Sequence, residues 1–105
     1  MFLHTVHFWL KPDLTDAERA AFIAGCRGLG ESQHVAAIRV GVPAGTDREV
    51  VDNTWDVQLA VTFDGPGMHD AYQSADDPEH MGFIENFKTF WTKVLIYDSV
   101  EAPGA

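Results

Sequence analysis

Residues 2–10 read FLHTVHFWL, and strict alternation splits them into two faces. His4, Val6, Phe8 and Leu10 share one face; Leu3, Thr5, His7 and Trp9 share the other. Both faces are largely apolar, which predicts a strand covered on both sides. Thr15-Asp16-Ala17-Glu18 forms a capping box that opens a helix. This helix carries Ala21, Phe22, Gly25, Cys26 and Leu29 on one stripe and stops at residues 28–30. VAAIRVGV, residues 35–42, predicts a second strand, and the polar loop PAGTDREVVDNT follows as either a lid or an arm toward a partner. WDVQLAVTF, residues 55–63, alternates most cleanly, with Trp55, Val57, Leu59, Val61 and Phe63 on its apolar face.

DGPG then breaks the chain. A short helix is expected to turn Met68, Ala71, Tyr72 and Ala75 inward, at spacings of three and four. Asp77-Pro78 restarts the helix, with aspartate as N-cap and proline in the first turn. The apolar face of this helix is expected to run through Ile84, Phe87 and Trp91, widened by Phe83 and Phe90. VLIYDSV, residues 94–100, closes as a strand, and EAPGA is expected to fray.

The order β-α-β-β-α-β defines the fold class as α+β and ferredoxin-like: an antiparallel sheet with helices on one face. Residues 1–100 form one domain and 101–105 a tail. Leu3, His7, Trp9, Leu95 and Tyr97 would leave a large apolar patch on the other face. A homodimer packed sheet to sheet, forming an α/β barrel, is the expected remedy.

Composition narrows the partners. The 105 residues carry 7 basic and 16 acidic side chains, for a net charge of −9. The basic residues are scattered singly, so neither nucleic acid nor an anionic membrane surface is an expected partner. No apolar run nears the roughly 20 residues that span a bilayer. The N-terminus has neither a basic leader nor a small-residue cleavage site, so a cytoplasmic location is expected. The single cysteine, Cys26, reads as a small core hydrophobe.

The candidate chemistry lies in AYQSADDPEHMGF, residues 71–83. His80 falls in the first helical turn, four residues before Ile84, and so points toward the sheet. Tyr72 points inward from the helix before it, and His4 lies on the strand face assigned to the helices. Three protonatable rings thus converge on one interior. A helix N-terminus favours a neutral imidazole, and such an imidazole beside a phenol can act as general base. The same rings can equally bind a ligand without turnover, or simply satisfy one another. His4 and His7 face opposite ways and cannot share a metal. His34 and His69, near element ends, are expected in solvent. With no HExxH or CxxC spacing, no metal and no cofactor are expected. A phosphate cradle and a hydrolase triad also lack support.

LHTVHFWLKPDLT, AVTFDG, AYQSADDPEHMGFIENF and VLIYDSV together resemble the stress-responsive α/β-barrel (Dabb) domain family of the dimeric α/β-barrel superfamily, over residues 2–100. The resemblance implies a ferredoxin-like protomer that dimerises through its sheet. Plant members that cyclise linear polyketides imply an acid/base pair at Tyr72 and His80, with a pocket histidine at His4. SADDP is two residues longer than in that branch. Val57 stands where it can carry a histidine, and Cys26 replaces a larger aromatic residue, so cyclase activity is not carried over.

The expected pocket is lined by Val6, Phe8, Phe22, Cys26, Val57, Leu59, Tyr72, Phe83, Ile84, Phe87, Trp91 and Ile96, with His4, Tyr72 and His80 as its polar end. It would bind a small apolar, keto-bearing or aromatic metabolite, with cyclase- or isomerase-like acid/base chemistry open. The alternatives are a non-enzymatic stress-associated dimer and a cofactor-free monooxygenase. Haem ranks low, because His4 and His80 are committed to the pocket end.

Overall fold

Strand β1 (Phe2–Leu10) is an inner strand of a four-stranded antiparallel sheet ordered β2-β3-β1-β4, with β2 at Ala37–Gly41, β3 at Val57–Phe63 and β4 at Trp91–Val100. The computed structural model describes residues 1–104, so Ala105 of the expected tail lies outside the described residues. Helix α1 (Asp16–Gly28) and a 3-10 turn at Leu29–Glu31 lead from β1 to β2; α2 (Pro66–Gln73) and α3 (Pro78–Phe87) lead from β3 to β4. This is the ferredoxin-like order read from the sequence.

The alternation in β1 sets the layers. Phe2, His4, Val6, Phe8 and Leu10 are buried beneath the helices with Val57, Leu59, Val61 and Phe63 of β3. The thinnest dimension is 18 Å, room for one sheet and one layer of helices. Among the described residues the opposite sheet face carries no helix and is covered only in part, with Trp55 against His7, while Tyr97 there is 60% exposed. Thr15 caps α1 with the reciprocal Glu18 bond, and Asp77 caps α3.

Some boundaries differ from the sequence expectation. Strand β2 spans five residues, and β3 begins at Val57, because residues 42–56 form an irregular arm. The Trp9 indole donates to Thr54 Oγ1 (3.0 Å) and the Leu10 amide to the Asp56 carboxylate (2.7 Å), which ties the arm's end to β1. Helix α2 turns His69 and Tyr72 inward and leaves Met68 exposed, and it ends before Ala75, which is exposed in the following turn. Helix α3 ends at Phe87, so Trp91 starts β4 and does not extend the helix face. Its helical spacing from Phe87 coincides with the inward face of a strand.

Helices α1 and α3 pack closely because position 25 has no side chain. A methyl group on Gly25 would stand 2.3 Å from Cε2 of Phe87, and that ring is wedged against Phe22, Phe83 and Phe90. Alanine gains about 1 kcal/mol of helix propensity, whereas overpacking costs about 1–3. Gly25→Ala is expected to destabilise by about 1 kcal/mol net in urea melts. A stabilised variant would mean that Phe87 can swing out freely.

Candidate functional site

The site is built where β1, β4, α2 and α3 meet. His4 is 4% exposed, and its Nδ1 lies 2.5 Å from Oδ1 of Asp98, its register partner on β4. That bond leaves Nε2 as the nitrogen available to the interior. Burial holds the His4 imidazole below its ordinary pKa, although Asp98 pulls the other way. It is therefore neutral at pH 7.

Tyr72 is buried on α2, edge-on to His4 at 6.3 Å between ring centroids. Burial, and then the Asp77 charge, push its hydroxyl above the usual phenol range, so it remains a donor. His80 occupies the third position of α3, its amide donating to Asp77 Oδ1 (2.8 Å). Its ring is 4.6 Å from that of Tyr72. Burial lowers its pKa; the Asp77 charge opposes that shift, and His4 adds to it. His80 Nδ1 is buried and has no hydrogen-bond partner among the described residues.

The SADDP segment explains how the rings meet. Ser74 to Asp77 close into a turn through Ser74 Oγ–H to Ala71 O (2.7 Å) and Asp77 N–H to Ser74 O (3.3 Å). The connection curls back on itself, and the Tyr72 and His80 rings stay 4.6 Å apart across it. Asp77, fully buried, accepts from Ser32 Oγ–H (2.5 Å) and lies 2.7 Å from His34 Nδ1. His34 is thus tied to the N-terminus of α3 and is not free in solvent as expected.

A cavity of about 170 Å³ adjoins the three rings. His4, Tyr72, Gln73 and His80 supply its polar wall; Val6, Phe8, Leu59, Phe83, Ile84, Trp91 and Ile96 are among its apolar wall. Four residues assigned to the lining lie elsewhere. Phe22, Cys26 and Val57 are sealed in the core, and Phe87 packs between α1 and α3. Spacing reveals which side of an element points inward, but not how far along the sheet a void lies. Burial pushes the Cys26 thiol up to about 12, in keeping with a packing role.

Leu29, Gln73 and Val94 line the cavity without having been singled out. Asp98 was missed as well, although an aspartate in phase with Val94, Ile96 and Val100 was the signal. His69 is a correction: its side chain is 15% exposed, and its ring stacks on Phe2 at 4.2 Å. His4, His69 and Asp98 each offer a ligand atom within 4.8 Å of the others. His7 lies on the opposite face beside Trp55 and Tyr97.

The profile of the Stress Responsive A/B Barrel Domain matches residues 2–101. No curated protein matches. Among solved structures, an Arabidopsis thaliana protein is similar with TM-score 0.83 and 18% identity, covering 100% of this chain and 99% of its own. A dimeric ferredoxin-like protein of unknown function from Thermobifida fusca is similar with TM-score 0.76 and 15% identity, over 95% and 90%. Hydroxynitrile lyase from Passiflora edulis is similar with TM-score 0.83 and 15% identity, over 99% and 95%. At these identities the likeness is one of fold. No helix among the described residues is long and apolar enough to cross a membrane.

Proposed function

The chain belongs to the stress-responsive A/B barrel domain family, and from that premise we propose a homodimer whose protomers each bind a small keto-bearing or aromatic metabolite and move a proton on it. One observation carries the reading: an apolar cavity is walled at one end by a neutral imidazole, His80, whose ring lies 4.6 Å from that of a protonated phenol, Tyr72. A cavity of about 150 Å³ holds a benzene ring, so about 170 Å³ suits a single ring or a short ketone. The ring or alkyl part would rest on Val6, Leu59, Phe83 and Ile84. The carbonyl would face the polar end.

In this reading His80 takes a proton from the carbon beside the carbonyl, while the Tyr72 hydroxyl donates to the developing enolate oxygen. Returning the proton to a different atom completes an isomerisation with no co-reactant. His4, oriented by Asp98, completes the polar wall. That one chain of this fold is named a hydroxynitrile lyase supports a capacity for small-molecule chemistry; its reaction is not transferred.

A panel of small ketones and phenols, screened by ligand-observed NMR in deuterated buffer, tests both steps. Binding with deuterium uptake at the α-carbon is expected. His80→Gln should slow uptake by about 10²–10⁴-fold and Tyr72→Phe by about 10²–10³-fold, with binding retained. Binding without uptake would reduce the site to a ligand pocket. No binding across the panel would favour a structural dimer.

A further inference from the structure

We infer that His4, His69 and Asp98 form a binding site for a divalent first-row transition ion, at the sheet edge next to the cavity. Two imidazoles and one carboxylate suit zinc, nickel or ferrous iron. The ligands come from β1, α2 and β4, with His4 and Asp98 94 residues apart. No local sequence spacing announces such a set.

The position of His69 carries the inference. Its Nδ1 lies 3.3 Å from the Asp70 carboxylate, and a carboxylate on one imidazole nitrogen favours the proton there. Nε2 is then a lone pair. It is buried without a hydrogen-bond partner, 3.8 Å from Asp98 Oδ2. A lone pair buried 3.8 Å from a half-exposed carboxylate is relieved either by a proton on Nε2 or by a cation held between the two groups, and the His4 nitrogen nearby supplies a third ligand for the cation. Ligand atoms about 2.0–2.1 Å from a tetrahedral ion stand about 3.3 Å apart. The His4–Asp98 distance of 2.5 Å and the His69–Asp98 distance of 3.8 Å bracket that value. Asp98 is 39% exposed on an edge strand, which supplies a route for the ion.

Binding would also reset His4. With Asp98 accepting from Nδ1–H, Nε2 presents a lone pair to the cavity. A metal on Nδ1 moves the proton to Nε2, so that the cavity then meets a donor.

The inference does not depend on the cavity chemistry, because it is read on the protein without any organic ligand. EDTA-treated full-length protein, titrated with Zn²⁺ by calorimetry and with Co²⁺ by visible absorption, provides the test. One ion per chain with a Kd at or below about 10 µM is expected, with Co²⁺ bands of four- or five-coordinate intensity. His69→Phe, which keeps a ring on Phe2, should weaken binding more than about 100-fold. Asp70→Asn, on an exposed side chain that folding does not need, should weaken it about tenfold. Wild-type binding weaker than about 100 µM would overturn the site. So would undiminished binding by both His69→Phe and Asp70→Asn, since the ion would then rest on other residues.

Discussion

Asp77→Ala is expected to cost about 3–5 kcal/mol of stability, the range for stripping the partner from a buried, hydrogen-bonded charge cluster. In a domain of this size that corresponds to a Tm lower by roughly 15–30 °C. Asp77 is fully buried and serves three donors: the Ser32 hydroxyl, the His80 amide and the His34 ring. Alanine would orphan all three and uncap α3. Ser32→Ala removes the Asp77 bond and the one Ser32 Oγ accepts from the His34 amide (3.2 Å), keeps the cap of α3, and should cost less, about 1.5–3 kcal/mol. Urea melts decide the matter, and a loss below about 1 kcal/mol for Asp77→Ala would refute the role.

The same carboxylate predicts a pH dependence. Burial pushes its pKa up, but the bonds from Ser32, the His80 amide and His34 outweigh burial and hold it below the usual range. The folded chain therefore binds this proton less readily than the unfolded chain, whose aspartate titrates near about 3.9. The contribution is fully present above about pH 5 and is lost as pH falls through 3.9 toward the folded value. The gap in stability between wild type and Asp77→Asn should narrow between about pH 5 and pH 3. A gap that stays constant across that window would contradict the assignment.

Tyr97→Asp is expected to split the proposed dimer. Leu3, Leu95 and Tyr97 leave apolar surface on the open sheet face, and His7 Nδ1 there has no hydrogen-bond partner among the described residues. A two-fold interface meets every substitution twice. Two buried aspartates, at about 2–3 kcal/mol each, would raise the dimer Kd by about 10³-fold or more. Light scattering should show a mass of twice 11.6 kDa for wild type and 11.6 kDa for the variant at micromolar concentration. The variant should keep its fold, because Tyr97 is 60% exposed in the protomer. A monomeric wild type, or a variant that stays dimeric, would remove the basis for the sheet-to-sheet assembly.

Local chemistry was legible in the sequence wherever a signal is local. The capping box at Thr15, the Asp77-Pro78 restart and the alternation in β1 and β3 each fix neighbouring backbone. The inward aim of His80 followed from helical spacing to Ile84. What escaped was set by pairing and by depth. Asp98 meets His4 only once β1 and β4 are in register. His69 turns inward because Gly65-Pro66 starts α2 in a phase that exposes Met68. Phe22, Cys26, Val57 and Phe87 point inward as expected but fill the layer that the cavity does not reach. His34 looked like a loop residue because Asp77, its partner, comes 43 positions later.

The pairing of β1 with β4 also bears on how the protein is made. His4 and Asp98 are separated by 94 residues, which a ribosome adding about 5–20 residues per second covers in roughly 5–20 s. Through that interval β1 has no β4 to pair with, and its aromatic residues are available to chaperones and to other nascent chains. Long-range ladders of this kind also fold slowly once complete. The histidine that lines the cavity is thus synthesised well before the carboxylate that orients it, and the site can be assembled only after translation has passed residue 98.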